Sequence, residues 1–405
     1  MSPDYDVVVI GASCAGLVTA RRTAAAGMRT VVLDARDCFG TPERTWIVTQ
    51  KIDRILDTDL SPSVVHQTGV MELLTGDRTQ RVTLEDPDLI VERADLRKIL
   101  AEEAEAAGAE VRLRHRVKEV RSSSAGYVVH LNENGEDART ILRARHLVGA
   151  DGVKSVVAES MGSPPNRTVP IVQARVRLPE GHDPDVTRVW FDRERTRFFY
   201  WLIPESSTTG VLGLIAERSD NARRLLDDFL IERGIGAMEY QGAMIPLHQP
   251  RRRIEWRSNG NRVLLVGDAA AHVKVTTVGG VVSGIWGATA ASRALIEGTS
   301  YRRELGSLHR ELWLHDLVRW LMDRFEDHHY DRLLDLLNAS LHELLGKHDR
   351  DSYASTAWAL FKAQPRLALL AADVLAHPRN ARERISGFLS RIKERRDHDQ
   401  VASEG

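Results

Sequence analysis

The stretch Tyr5-Asp-Val-Val-Val-Ile-Gly-Ala-Ser-Cys-Ala-Gly16 decides the fold of this chain. Its apolar first half predicts a β-strand, its glycine-rich second half predicts a tight turn, and a helix-compatible segment follows over 15–26. A second apolar run, 30–33, leads to Asp34, which lies 18 residues after Gly16. Strand, turn, helix, strand and acidic residue, in this order, form the unit that binds dinucleotides. A strand–turn–helix with only a packing role is the alternative interpretation.

The residues of the turn indicate how phosphates would bind there. Gly11 permits the sharp turn after the strand, and Gly16 permits close packing of helix on strand. Ser13 replaces the usual middle glycine, and its hydroxyl could reach a phosphate oxygen. The helix N-terminus adds free N–H groups and a partial positive charge. Asp34 is placed to accept hydrogen bonds from ribose hydroxyls, and its charge disfavours the 2′-phosphate of NADP at this site.

A second glycine-containing segment, Gly267-Asp268-Ala-Ala, follows another apolar run, 262–266, more than 250 residues after the first turn. One nucleotide held from both ends of the chain is expected of FAD proteins, whereas a dehydrogenase would have one continuous nucleotide domain. A helix with a small-residue face is predicted over 281–297, directly after Gly279 and Gly280. Its N-terminus would point at the pyrimidine edge of the isoalloxazine, where negative charge collects on reduction. An ordinary packing helix is the alternative.

The composition excludes several classes of protein. A net charge of −1 over 405 residues gives no field that would recruit nucleic acid. No apolar run approaches the roughly 18 residues of a membrane span, and the first 16 residues already form a strand and its turn, so we expect no signal peptide. The two cysteines, Cys14 and Cys38, are expected to be free thiols in a reducing cytoplasm. No His, Cys and Asp cluster has the spacing of a metal site.

The order of predicted elements indicates an α/β (α+β) fold: a Rossmann-like FAD-binding domain with an inserted β-sheet substrate domain and a helical C-terminal segment. Turn signals over 38–87 predict a loop-rich stretch, and the chain is expected to be almost wholly helical from Gly280 onward. The predicted domains are a discontinuous FAD-binding domain over 1–45, 89–160 and 257–298, a substrate-binding sheet domain over 46–88 and 161–256, a helical domain over 299–396 and a frayed tail over 397–405.

Several motifs resemble the p-hydroxybenzoate-hydroxylase-like flavoprotein superfamily. The first turn with Asp34, and Arg93 opening the segment Ala94-Asp-Leu-Arg-Lys-Ile-Leu100, look like its FAD-binding half. The segment Gly149-Ala-Asp-Gly-Val-Lys-Ser155 is similar to its Asp-Gly motif. Gly267-Asp-Ala-Ala-Ala-His-Val-Lys-Val-Thr-Thr-Val-Gly-Gly280 is similar to its second FAD motif and, within the superfamily, most resembles the geranylgeranyl reductase family. The strand Tyr200-Trp-Leu-Ile-Pro204 is similar to the aromatic-rich sheet segment of that family.

The resemblance implies FAD as the cofactor, with NAD(P)H as a transient reductant, since no second glycine fingerprint exists for a nicotinamide. Another electron donor is the alternative. Three departures concern the handling of flavin and nicotinamide, namely Val275 and Val278, where the family commonly has proline and glycine, and Ala158, where it has arginine. The expected cofactor-binding residues are Gly11, Ser13, Ala15, Gly16, Asp34, Arg36, Arg44, Arg93, Val117, Asp151, Gly267, Asp268, Gly279 and Gly280.

Two titratable residues near the expected flavin are candidates for catalysis. His272 could protonate a carbon after hydride delivery, and Lys274 could do the same. A hydrogen-bonding histidine and a solvated lysine are the alternatives. Trp46, Tyr200 and Trp201 are expected to contact substrate. Phe199, Tyr200 and Trp201 are expected to line one wall of the cavity, with sheet core as the alternative.

The resemblance implies an FAD-dependent reductase of carbon–carbon double bonds in an isoprenoid-like or other small hydrophobic substrate. A flavin monooxygenase of secondary metabolism is the alternative, and a flavin halogenase is a third. The amphipathic, basic segment 382–396 could lie on a membrane surface, which would suit a lipid substrate, although core packing or a dimer contact is the more common explanation of such a pattern. The sequence does not indicate an oligomeric state.

Overall fold

The structure is a computed structural model, and it describes residues 3–40, 44–76, 78–133, 139–347 and 362–376. Its strands form two eight-stranded sheets. Helices cover the first sheet and continue into a C-terminal helical layer. This arrangement confirms the predicted fold class.

The first sheet contains the dinucleotide-binding unit. Its strands are β1 (Tyr5–Ile10), β2 (Thr30–Leu33), β6 (Glu110–Arg112), β7 (His115–Ser123), β8 (Gly126–Glu133), β9 (Arg139–Gly149), β15 (Glu255–Ser258) and β16 (Asn261–Leu265). They lie in the order β15-β16-β9-β1-β2-β6, and β8 pairs with β9 and β7. The pairs among β16, β9, β1, β2 and β6 are parallel. The continuous apolar run of β1 is buried on both faces, as expected for a central parallel strand.

Helices pack on this first sheet. α1 (Cys14–Ala25) contacts both α3 (Arg93–Ala106) and α6 (Val281–Ile296), and α4 (Val156–Ser160) contacts β7. Small residues on α1 and α6 allow the two helices to approach closely, because they present alanine and glycine to one another. Two parts of the chain more than 250 residues apart therefore meet along one helix pair.

The second sheet has the order β14-β10-β13-β12-β11-β4-β5-β3. Its strands are β3 (Thr45–Val48), β4 (Val64–Leu74), β5 (Thr79–Glu92), β10 (Thr168–Arg177), β11 (Val186–Trp190), β12 (Tyr200–Pro204), β13 (Thr209–Ile215) and β14 (Ala237–Pro246). The short helix α2 (Lys51–Leu56) follows β3. α5 (Ser219–Glu232) packs on one face of the sheet through Leu226 and Phe229, which are fully buried.

The predicted loop over 38–87 is wrong, because this region contains β4 and most of β5, two of the longest strands. The sequence did not predict them, because β5 is rich in polar residues and carries Pro87, which argues against a central strand, and because β4 is interrupted by Gly69, where its register with β5 shifts. Pairing supplies what local propensity lacks: β5 pairs with β4, and β4 also pairs in parallel with β11.

The described C-terminal region is helical, as predicted. Its helices are α7 (Tyr301–Glu304), α8 (Gly306–Met322), α9 (Asp327–Asp335), α10 (Ala339–Lys347) and α11 (Arg366–Ala376). Within the described residues, no helix combines the length and apolarity that crossing a membrane requires. The basic segment 382–396 and the tail 397–405 lie outside the described residues.

We keep the division into domains as a proposal, with one boundary moved. The first FAD-binding segment ends where β3 begins, at Thr45. We place the return to the FAD-binding domain at residue 93 rather than 89, because β5 continues in the second sheet to Glu92 and α3 starts at Arg93.

Candidate cofactor site and active site

The turn between β1 and α1 lies against the carboxyl end of β9. Gly11 has a left-handed φ of +103°, and a Cβ there would overlap the carbonyl oxygen of Ala150. A Cβ on Gly16 would overlap the carbonyl oxygen of Gly11 and lie 2.9 Å from the Cβ of Ala150. Only glycine fits either position, so the turn keeps the close approach that phosphate binding at a helix N-terminus requires.

Ser13 is the N-cap of α1. Its Oγ accepts a hydrogen bond from the Gly16 N–H at 3.2 Å and donates to the Ala150 carbonyl oxygen at 3.1 Å. A hydroxyl has one proton to donate, and this one is used inside the protein. The structure therefore corrects the expectation that the Ser13 hydroxyl reaches a phosphate, because here it caps the helix and fixes the turn to β9.

Asp34, at the end of β2, is buried and accepts several hydrogen bonds. Its Oδ2 accepts from Ala12 N–H at 2.7 Å and from Arg36 Nη2 at 2.6 Å, and its Oδ1 accepts from the Arg36 backbone N–H and Nε, each at 2.9 Å. Burial opposes ionisation, but the bonds from Arg36 outweigh it and lower the pKa of Asp34. The carboxylate is charged, and the half-exposed Arg36 side chain covers its outer side.

Gly267 joins the two distant glycine segments. It begins a short 3₁₀ turn after β16 and has a left-handed φ of +58°. A Cβ on Gly267 would lie 3.3 Å from the Cβ of Ala15 in α1, and a Cβ on Gly284 in α6 would lie 3.2 Å from the Cα of Gly267. The segment is therefore wedged between two helices, and both ends of the chain meet at the edge of the first sheet.

Two acidic residues follow neighbouring parallel strands at this edge. Asp151 follows β9, and Asp268 follows β16. Burial raises the pKa of Asp268 to about 6. Burial also raises the pKa of Asp151, whose Oδ2 accepts from the Val157 N–H at 3.1 Å and whose buried Oδ1 has no hydrogen-bond partner among the described residues. Buried carboxylate oxygens of this kind suit the hydroxyl groups of a bound ligand.

The loop 271–280 connects the 3₁₀ turn to α6 and is held on two sides. The Lys274 N–H donates to the Gly279 carbonyl oxygen at 3.0 Å. Thr276 Oγ1 lies 2.6 Å from Nδ1 of His315 on α8, with both side chains buried. Val278 has a φ of +54°, an unusual value for a β-branched residue. Its side chain belongs to the same buried apolar cluster as Trp201 of β12, so the loop is also attached to the second sheet.

A model of the FAD binding domain matches residues 4–306. The chain belongs to the FAD-binding domain family. The expected cofactor and enzyme class are confirmed, and the protein is an FAD-dependent oxidoreductase.

Relatives and neighbours agree with the resemblance to geranylgeranyl reductases. The digeranylgeranylglycerophospholipid reductase of Methanococcus vannielii is 24% identical over 358 residues, covering 84% of this chain and 88% of the relative. A geranylgeranyl bacteriochlorophyll reductase-like structure from Thermoplasma acidophilum has a TM-score of 0.76 at 18% identity, covering 91% of this chain and 99% of the neighbour. p-Nitrophenol 4-monooxygenase from Pseudomonas putida has a TM-score of 0.61 at 17% identity, covering 93% and 98%. These two structural likenesses show the shared fold.

The residues around the turn fit FAD. The turn offers a glycine-lined helix N-terminus for the pyrophosphate, and Asp151 offers an unused buried oxygen. Asp34 offers a charged acceptor that the adenosine ribose would reach once the half-exposed Arg36 side chain turns away from it. We propose that Gly11, Gly16 and Gly267 allow the backbone to approach FAD closely, and that Asp34, Asp151 and Asp268 accept hydrogen bonds from its hydroxyl groups. When bound and reduced, FAD supplies a hydride.

His272 does not point towards the N-terminus of α6, where the flavin is expected. A Cβ on Gly287, seven residues or about two turns beyond Gly280, would overlap its Nδ1. The ring is 1% exposed, and its nearest ring neighbour is His309 of α8, with 6.4 Å between centroids. Burial, with smaller contributions from His309 and His248, lowers the pKa of His272 to about 3. The expected role as proton donor is corrected, because a neutral imidazole packed between α6 and α8 cannot supply a proton as imidazolium.

Lys274 remains the candidate proton donor. Its side chain is half-buried and runs along Gly279: Cε lies 3.5 Å and Nζ 3.7 Å from where a Cβ on that glycine would stand. Gly280, the next residue, is the N-cap of α6. The ammonium group is therefore at the end of α6 that the reduced flavin is expected to face.

The structure separates the two aromatic residues of β12, because successive side chains of a strand point to opposite faces. Tyr200 stacks on Phe229 of α5 with centroids 4.0 Å apart and donates to the Leu225 carbonyl oxygen at 3.3 Å. Trp201 faces the 271–280 loop instead. The expectation that both line one wall is wrong, and Tyr200 belongs to the core under α5.

The other predicted contacts lie at different distances from the turn. Arg44 donates from Nε to Gln241 at 3.1 Å and from Nη2 to the Gly242 carbonyl oxygen at 3.3 Å, both on β14, so it bridges β3 and β14. The Arg93 N–H donates to the Arg44 carbonyl oxygen at 3.0 Å. Their assignment to FAD stays a prediction. Val117, on β7, is buried in the core on one face of the first sheet. Trp46 packs on the core that contains α1 and α6, not on the cluster that contains Trp201.

One residue at the turn was missed by the sequence analysis. Arg97 lies one turn after Arg93 on α3 and is 2% exposed. The signal was available, because residues four apart on a helix share a face. The resemblance to the flavoprotein superfamily, however, indicated only Arg93, the arginine that opens α3.

Proposed function

We propose that this FAD-dependent oxidoreductase reduces carbon–carbon double bonds of an isoprenoid-like or other small hydrophobic substrate. The likeness over 84% of the chain to a digeranylgeranylglycerophospholipid reductase carries the proposal. NAD(P)H is proposed as a transient reductant.

The surroundings of the 271–280 loop support a hydrophobic substrate. Six buried apolar residues form a cluster that joins this loop to β10, β12 and β13 and the segment before β12: Val169, Phe198, Trp201, Ile215, Val273 and Val278. Phe199, Ile203 and Ile245 pack against the cluster and are only partly buried. Apolar side chains thus continue from the loop to the second sheet, and the partly buried ones at the margin of the cluster suit contact with a polyprenyl chain.

The chain's own residues then have two tasks. Val278 and Trp201 hold the loop against the sheet and keep water away from it. Lys274 carries the proton that the second carbon of the double bond needs once the first has received a hydride.

The deciding experiment is the anaerobic reoxidation of photoreduced enzyme. A polyprenyl lipid should restore the oxidised flavin absorption and be recovered with fewer double bonds, whereas the fully saturated lipid of the same length should do neither. Lys274→Met should slow this step and leave photoreduction unchanged. No reoxidation by any polyprenyl lipid would refute the proposal. Incorporation of one atom of labelled dioxygen into a substrate would establish the monooxygenase alternative.

Peripheral membrane contact is part of the same proposal. Trp313, Leu317 and Trp320 form one stripe on α8 and are 54%, 46% and 45% exposed. Arg324 lies over the Trp320 ring at 3.8 Å. Tryptophan with a neighbouring arginine suits the polar boundary of a bilayer. Sedimentation with vesicles should be lost in a Trp313→Ser, Trp320→Ser double variant that keeps its FAD, and equal sedimentation of variant and parent would contradict this role.

A further inference from the structure

Arg97 places a buried positive charge beside the phosphate-binding turn. Its Nε donates to the Ala12 carbonyl oxygen at 3.1 Å, and its guanidinium carbon lies 5.0 Å from the centre of the Phe39 ring. Ala12 belongs to the turn itself, and its N–H donates to Asp34. The Arg97 side chain is therefore fixed between α3, an aromatic ring and the backbone of the turn.

The Arg97 guanidinium is not fully satisfied within the protein. Its buried Nη2 has no hydrogen-bond partner among the described residues. The acidic group that faces it, Asp34, is already bound on both carboxylate oxygens by Arg36. Burial first, and then the like charge of Arg36, lower the pKa of Arg97 to about 10, with a smaller effect from Arg93. A buried cation with an unused donor is costly unless an anion pairs with it.

We propose that Arg97 binds the pyrophosphate of FAD through Nη2, as a second arginine on the face of α3 that Arg93 opens. The turn supplies neutral N–H donors and a helix N-terminus, and Arg97 adds full charge at the same place. A guanidinium is suited to this task because its planar donors match phosphate oxygens. Arg97 would hold the cofactor in this way whichever substrate the enzyme reduces.

A purely structural role makes a different prediction. If Arg97 only pins the Ala12 carbonyl oxygen, its removal loosens the turn and destabilises the chain with or without FAD. If it binds FAD, its removal takes an unpaired cation out of the core of the cofactor-free chain and weakens only the complex.

The test compares Arg97→Gln with Lys98→Gln, which removes the same charge from the same helix at a side chain that is 69% exposed. FAD titration followed by flavin fluorescence should give a Kd about 10- to 100-fold higher for Arg97→Gln, since hydrogen bonds to charged groups are among the stronger ones. Lys98→Gln should stay within about twofold of the parent protein, because an exposed charge contributes little.

Thermal unfolding of the full chain without FAD and with excess FAD separates the two roles. Arg97→Gln should unfold no earlier than the parent without FAD, and it should gain less from added FAD. Arg97→Lys keeps the charge without the planar donors and should bind FAD with intermediate affinity, so it carries the test if Arg97→Gln does not fold. The proposal is overturned if either Arg97 variant binds FAD as tightly as Lys98→Gln, or if Arg97→Gln loses stability equally with and without FAD.

Discussion

Gly287→Ala tests the placement of His272 between α6 and α8. The added Cβ would overlap His272 Nδ1 and lie 2.6 Å from Cε1, and the ring is 1% exposed, so it has no solvent to move into. Overpacking of this kind costs about 1–3 kcal/mol. Alanine in a helix interior returns roughly 0.5–1 kcal/mol relative to glycine. We therefore expect a net loss of up to about 2.5 kcal/mol in the free energy of unfolding.

The same substitution in a His272→Ala background removes the clash and keeps the helix gain. There Gly287→Ala should stabilise the protein by roughly 0.5–1 kcal/mol, so its effect changes sign and the two sites couple by about 1–3 kcal/mol. Gly306→Ala, in α8, is the matched control, because a Cβ there meets nothing within 4 Å and should act alike in both backgrounds. The measurement is denaturant unfolding of FAD-saturated protein. Equal effects of Gly287→Ala in the two backgrounds would refute this placement of the ring.

Two further predictions concern His272 and the aromatic pair of β12. Burial lowers the pKa of His272 in the folded protein to about 3, so the unfolded chain binds a proton first as the pH falls. The free energy of unfolding therefore keeps the full contribution of the neutral His272 above about pH 6.5 and loses about 2 kcal/mol of it by pH 5. Denaturant unfolding of His272→Asn should show a shallower loss between these pH values, and an unchanged slope would contradict the assigned burial. Tyr200→Phe removes the hydrogen bond to the Leu225 carbonyl oxygen and should lower the free energy of unfolding by about 1 kcal/mol. It should not change the rate at which substrate reoxidises the flavin. Trp201→Phe removes part of the apolar cluster that contains Val278 and should slow this reoxidation. Stopped-flow traces in which both variants slow equally would show that the two faces of β12 do not differ in function.

The fold could be predicted where the signal is local. The β1–α1–β2 unit could be predicted because its signals are close together in the sequence: an apolar strand, a glycine turn and an acidic residue follow one another within 30 positions. β4 and β5 could not be predicted in the same way. β5 is polar and contains Pro87, and β4 is interrupted by Gly69; both become strands through pairing with each other and, for β4, with β11, more than 100 residues away in the chain.

In the candidate site, backbone conformations could be predicted from the sequence, but the directions of side chains could not. Gly11 and Gly16 were predictable, because a glycine pattern reports a backbone conformation and a close approach. The direction of the His272 ring was not, since it depends on space left by Gly287 in a helix further along the chain. The predicted phosphate contact of Ser13 was wrong for a related reason, because only the structure shows that its hydroxyl donates its hydrogen bond to the Ala150 carbonyl oxygen.

Val278 shows how the departure from the family pattern is tolerated. A β-branched residue at a φ of +54° costs of order 1–3 kcal/mol, a cost that glycine would avoid. Its burial beside Trp201, at 6% exposure, returns about 1.5–3 kcal/mol, so packing against the second sheet offsets the backbone strain. The loop is then fixed from three directions, by Val278 on β12, by Thr276 on His315 of α8 and by His272 against α6. On the proposed assignment, FAD binds at the turn and the strand ends of the first sheet, whereas side chains of the second sheet and α8 set the shape of the space beside the flavin. Changes in that second set should therefore alter the choice of substrate while leaving the affinity for FAD intact.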